Sequence, residues 1–168
     1  MPDSDGNGAP VHGGTAVDRH GLEVLGHDEC LRLLRSAPVG RIGVSSQALP
    51  VVLPVNFAVD DGRVVIRTNP GTKLDAAVRN AVVAFEVDHY ETLGHEGWSV
   101  LVVGRASEVT DPDDLERVKR LPLRAWAVGS ADRFVAITMD IVSGRRVLAR
   151  AHGARDQRDR YGPLSSPA

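Results

Sequence analysis

The sequence predicts a mainly β fold, an antiparallel barrel with short helices at its periphery. Three observations carry this. Runs rich in Val and Ile, such as "VGRIGVS", "LPVVLPVNFAV" and "RVVIRT", recur along the chain and have the length of strands. Turn-forming residues separate them, notably "DDG" after Val59. The helical segments are few and short, and they do not alternate with the strands in the rhythm of a parallel α/β sheet.

Each element follows from its own pattern. "DECLRLLRSA" sets Cys30, Leu31, Leu33 and Leu34 at helical spacing behind acidic first-turn residues, and Pro38 stops it. "VGRIGVS" and "LPVVLPVNFAV" are strands separated by the polar "SSQ", and "DDG" leads into the strand "RVVIRT". A short helix opens after Gly71, with Leu74, Ala77 and Val78 as its apolar stripe, before the strand "AVVAFEVD". "WSVLVVGRASEVT" is a long strand in which Gly104 stands where a bulge or bend is common. "DPDDLERVKRL" is a helix with an acidic start and a basic end. "RFVAITMDIV" reads as a sixth strand that closes the fold.

A chain of 168 residues has the size of one domain. That domain is expected at 21–150, between tails at 1–20 and 151–168 that lack hydrophobic periodicity and read as disordered. Lys and Arg number 20 against 22 Asp and Glu, so the chain lacks the basic balance of a sequence-independent nucleic-acid binder. Cys30 is the single cysteine, which excludes an intrachain disulfide. The first residues lack the apolar core of a signal peptide, and no apolar run approaches the roughly 20 residues of a membrane helix. A cytoplasmic protein without a membrane partner is expected.

The stretch "VIRTNPGTKLDAAVRN" holds the main chemical signal. Arg67 and Thr68 end a strand, Pro70 and Gly71 turn the chain, and Thr72 and Lys73 open a helix. Gly71 lets backbone approach an anion, the helix N-terminus offers free N–H groups, and Lys73 and Arg67 add charge. Together they make a cradle for a phosphate. The plainer reading is a solvated turn in which Thr72 and Asp75 form a shortened capping box. Spacing alone leaves both open, and the earlier glycine of a Walker pattern is missing.

Other residues carry weaker signals. "FEVDHYETLGHEGW" gathers His89 and His95 among carboxylates, but the spacing matches no zinc pattern, and a polar hairpin loop is the better reading. Cys30 reads as packing, and Trp126 as core or as a cover for a cofactor ring.

Four segments in order, "APVGRIGV", "VVLPVNFAV", "VIRTNPGTKLDAAVRNAVVAFEVD" and "WSVLVVGRASEVT", give the domain a resemblance. It resembles the pyridoxamine 5′-phosphate oxidase-like superfamily of FMN-binding antiparallel split β-barrels. Within it, the chain is closer to the actinobacterial and nitroimidazole-resistance-like branches than to the oxidase of vitamin B6. The resemblance implies a homodimer with FMN at the subunit interface and a small-molecule substrate. It implies that Arg67, Thr68, Thr72 and Lys73 hold the phosphate, and that Val55, Asn56 and Phe57 lie along the isoalloxazine ring. Trp98 and Ser99 are implied to reach the flavin edge from the partner, with Arg145 directed to the partner's flavin or substrate.

Two departures narrow the expected activity. "MDIVSGRRV" lacks the aromatic residue and the Arg-x-His element of enzymes that make pyridoxal phosphate. Arg67 stands where nitroimidazole-resistance-like proteins often carry a histidine. The expectation is a flavin-dependent oxidoreductase acting on an unknown small molecule, with FMN, or alternatively a deazaflavin, as cofactor. The alternative is a non-catalytic flavin, deazaflavin or haem carrier on the same barrel.

Overall fold

Side chains alternate between the barrel interior and its outer face along the strands, several of which are apolar on both faces. The computed structural model describes residues 16–46, 48–69, 81–93, 95–123 and 133–147. Its strands are β1 (Glu23–Leu25), β2 (Val39–Ser46), β3 (Leu49–Asp60), β4 (Arg63–Thr68), β5 (Val82–Glu91), β6 (Glu96–Glu108), β7 (Arg133–Thr138) and β8 (Ile141–Val147). Helix α1 spans His27–Ser36 and α2 spans Pro112–Val118. The antiparallel order β6-β5-β2-β3-β4-β7 closes through β6–β7 into a six-stranded barrel. β8 and then β1 continue the sheet from β6.

In β5, Val83, Phe85 and Val87 point into the barrel while Val82 and Asp88 face outward. Phe85 meets Phe57 of β3 edge-on, with ring centroids 4.8 Å apart. Burial of each such side chain contributes roughly 1.5–3 kcal/mol. The "DDG" turn is a two-residue hairpin, with Asp61 at φ 47° and Gly62 at φ 69°. Both central residues are left-handed, as a type I′ turn demands.

The barrel is split at two points. β3 pairs with β2 up to Asn56 and with β4 from Phe57 onward. β6 pairs with β8 over 97–103 and with β7 over 106–108. Gly104 lies between, where a Cβ would sit 1.7 Å from the Thr138 carbonyl oxygen. The Arg105 N–H donates to Thr138 Oγ1 at 2.9 Å across the same corner. The single strand expected over "RFVAITMDIV" is therefore two, divided at Met139–Asp140, because β7 and β8 share one edge of β6. β1 was not among the expected strands. Val17, inside the segment read as the N-terminal tail, bridges Glu23 of this strand.

The helices close the open faces. Asp111 caps α2 by accepting from the Asp114 N–H, and Pro112 sits in its first turn. Val118 joins Val65, Phe134 and Leu123 in a second core outside β4 and β7. Arg63 and Arg117 both donate to Asp114, so α2 is tied to the β3–β4 hairpin and the Asp114 carboxyl is held far below the usual range. α1 buries Cys30, Leu33 and Leu34. Cys30 is a packing residue: a Cβ at Gly144 of β8 would lie 2.7 Å from its sulfur. The helix expected after Gly71 and the residue Trp126 lie outside the described residues. Among those described, no helix is long and apolar enough to cross a membrane.

Arg146 of β8 clamps α1 through Glu29 and holds Glu23 as well. Hydrogen bonds from Arg32 and then Arg146 lower the Glu29 pKa from 4.5 to about 2. A depressed carboxyl stabilises the fold above its unfolded pKa and loses that contribution as pH falls through the folded value. Stability should thus fall between pH 4.5 and about 2. Glu29→Gln should flatten that part of the profile in denaturant titrations at a series of pH values, and an unchanged slope would mean the clamp is absent in solution.

Candidate functional site

The split beside Asn56 brings two expected groups together. The β3–β4 ladder ends at Phe57–Ile66, while the β4–β7 ladder runs on to Thr68–Arg133. β4 therefore parts from β3 here; the same register continued would set Asn56 opposite Arg67 and, one residue further, Val55 opposite Thr68. Alternation sends Asn56 and Arg67 to the outer face and Val55 into the barrel, where it is buried. Arg67 is half-buried, with its guanidinium 5.6 Å from the centre of the Phe134 ring. That contact holds the planar fork at the open strand end. Phe134 was not singled out in the sequence, because it reaches this site only through the β4–β7 pairing. Thr68 is buried at 6 % exposure, and Thr72 and Lys73 lie outside the described residues.

A cleft of about 500 Å³ opens beside this split, between the end of α1, β3 and the segment after α2. Asn56, Phe57 and Ala58 line it from β3, Leu34 and Arg35 from α1, and Pro122 from the far side. Most of the lining is apolar, with Asn56 and Arg35 as its polar members among the described residues. Such a cleft suits a flat, mostly apolar group. The fit to a flavin is good on two counts. β3 has a stretch of backbone not laddered to β4 where a ring could lie, and Arg67 stands at the adjoining strand end where a phosphate would be met.

The other expected residues form a separate group. Ser99 of β6 pairs directly with Arg145 of β8, and Trp98 pairs with Arg146 and, on β5, with His89. The His89 and Trp98 rings are 6.2 Å apart. Arg145 Nε donates to Asp18 at 3.0 Å, and Asp18 also accepts from the His20 and Leu22 N–H groups. These bonds, the backbone ones first, lower the Asp18 pKa. Asp18 was missed because it lies in the segment read as a tail. No strand pairing joins this group to the Asn56–Arg67 group. At the β5–β6 hairpin, the Tyr90 hydroxyl and His95 Nδ1 lie 3.2 Å apart, and the described residues there form no metal-binding cluster.

The outer sheet face carries one apolar row across five strands. Val52, Gly43, Ala84, Val103 and Ile141 are successive register partners on β3, β2, β5, β6 and β8. Val52 and Ile141 remain 65 % and 59 % exposed, an unusual openness for large aliphatic side chains in mid-sheet.

Comparison with known proteins agrees with this architecture. A family model described as pyridoxamine 5′-phosphate oxidase matches residues 26–146. An uncharacterized protein of Mycobacterium tuberculosis is 43 % identical over 130 residues, covering 74 % of this chain and 85 % of that protein. The solved FAD-binding protein from Mycobacterium smegmatis is 34 % identical with a TM-score of 0.65, over 74 % of this chain and 98 % of its own. A FAD-binding protein from Mesorhizobium loti matches at 28 % identity and a TM-score of 0.63, over 75 % and 98 %.

Proposed function

The chain belongs to the pyridoxamine 5′-phosphate oxidase family, and from that premise we propose that it is a flavin-dependent oxidoreductase acting as a homodimer. One observation carries the reading: β3 and β4 diverge at Asn56, with Arg67 toward the parted end of β4 and Asn56 in the lining of an apolar cleft. The two FAD-binding relatives support a flavin as the ligand. FMN and FAD share the phosphate next to the ribityl chain, and Arg67, Thr68, Thr72 and Lys73 would hold that group. Val55, Asn56 and Phe57 would orient the ring along β3. The bound flavin supplies the two-electron chemistry, and the residues around it bind, orient and exclude water.

The apolar row through Gly43 and Ala84 is the proposed subunit contact. Two copies meeting there would cover the exposed Val52 and Ile141 and bring one protomer's Ser99 and Arg145, on the same face, toward its partner's cofactor, whereas Trp98 packs against the core. An obligate contact of this kind buries roughly 2,000 Å² or more. Sedimentation followed at a flavin absorption band tests both parts at once. The colour should travel with a dimer, whereas Ala84→Arg, which sets a cation in the middle of the row, should give a colourless monomer. A coloured monomer would refute the shared site, and a protein that takes up no flavin would refute the cofactor.

A further inference from the structure

We propose that the side of the cleft formed by the end of α1 and by Leu121 and Pro122, across from the stretch of β3 that would orient the flavin, is the substrate pocket, and that Arg35 makes it selective for a planar, apolar molecule carrying one carboxylate. The inference deepens the oxidoreductase reading and rests on it for what happens after binding. Several described arginines already have a carboxylate: Arg32 has Glu29, Arg41 has Asp88, Arg63 has Asp114, Arg145 has Asp18 and Arg146 has Glu23. Arg35 has none among the described residues, although it is exposed at the cleft. Its position in the last turn of α1 complements the helix dipole, which accounts for a cation there. It does not account for the chemistry around it. The other described lining residues are uncharged, and Leu34, Ala37, Pro38, Phe57 and Leu121 give the cleft apolar walls.

A cation beside apolar walls, with no carboxylate in the described lining to neutralise it, complements an amphiphilic anion. The guanidinium fork matches the two oxygens of a carboxylate. A phosphate dianion would call for more donors than this one side chain supplies. The apolar walls reward a flat hydrocarbon body, and the charge then discriminates acids from their neutral isosteres.

The probe pair is 2-naphthoate and 2-naphthamide, titrated by naphthalene fluorescence against the protein with and without flavin. Wild type should bind the acid at least about tenfold more tightly than the amide. Arg35→Gln should bring the two affinities together, Arg35→Lys should keep part of the preference, and Arg19→Gln, remote in sequence and outside the lining, should leave it intact. Equal affinities in wild type, a preference surviving in Arg35→Gln or lost in Arg19→Gln, or tighter binding of 2-naphthyl phosphate would each overturn the proposal. A protein that discriminates the acid without taking up flavin would sink the cofactor reading and leave the selectivity standing.

Discussion

Gly104→Ala is expected to lower the melting temperature by roughly 10 °C or more, or to prevent folding. Gly104 stands where β6 changes partner from β8 to β7. An added Cβ would meet the Thr138 carbonyl oxygen at 1.7 Å and its carbon at 2.6 Å, so backbone rather than a side-chain tip would have to move. Overpacking of this kind costs about 3 kcal/mol or more when backbone must shift, and each kcal/mol moves the midpoint of a domain this size by about 2–4 °C or more. Gly26 is the matched control. Nothing lies within 4 Å of its would-be Cβ, and it occupies the N-cap of α1 without a capping side chain. Gly26→Ser should raise stability by only a few tenths of a kcal/mol, since glycine is already a tolerable cap. Calorimetry on both variants decides: equal, small shifts would mean that β7 does not cross β6 at Gly104.

The sequence announced those features that a short window determines. "AVVAFEVD" announced a strand, in which Val83, Phe85 and Val87 are buried, and "DDG" announced a turn, whose Asp61 and Gly62 both take positive φ. Asp111, Pro112 and the acidic first turn of α2 were equally local. What the sequence could not convey was which strand edge each segment would occupy. "RFVAITMDIV" is apolar almost throughout, and only its burial against two stretches of β6 forces the break at Met139–Asp140. The same holds at the site. Arg67 was visible as a cation after a strand, but Phe134 beneath it and Asp18 against Arg145 are far away in sequence and meet their partners only through sheet pairing. Arg35 was not singled out, because the cleft beside it is formed by β3 and the segment after α2, which are distant in sequence.

Loss of the phosphate contacts should separate FMN from riboflavin. The two flavins have the same ring, and only FMN carries the charge that Arg67 and Lys73 would neutralise. A charge-assisted contact is worth roughly 1.5–3 kcal/mol, and about 1.4 kcal/mol is tenfold in affinity. Arg67→Ala and Lys73→Ala should therefore each raise the FMN dissociation constant by at least about tenfold. FAD, which has the same inner phosphate, should weaken alongside FMN, while the poorer binding of riboflavin should hardly change. Phe134→Leu gives an intermediate case. It keeps the arginine but removes the ring 5.6 Å beneath its guanidinium, so FMN should lose a fewfold in affinity as the fork becomes mobile. The capping alternative predicts otherwise. Thr72→Ala would cost about 1 kcal/mol of stability, and Lys73→Ala would leave both flavins alone. Fluorescence-quenching titrations of FMN and riboflavin against these variants distinguish the two. If riboflavin weakens as much as FMN, Arg67 and Lys73 support the ring or the fold and the phosphate cradle does not exist.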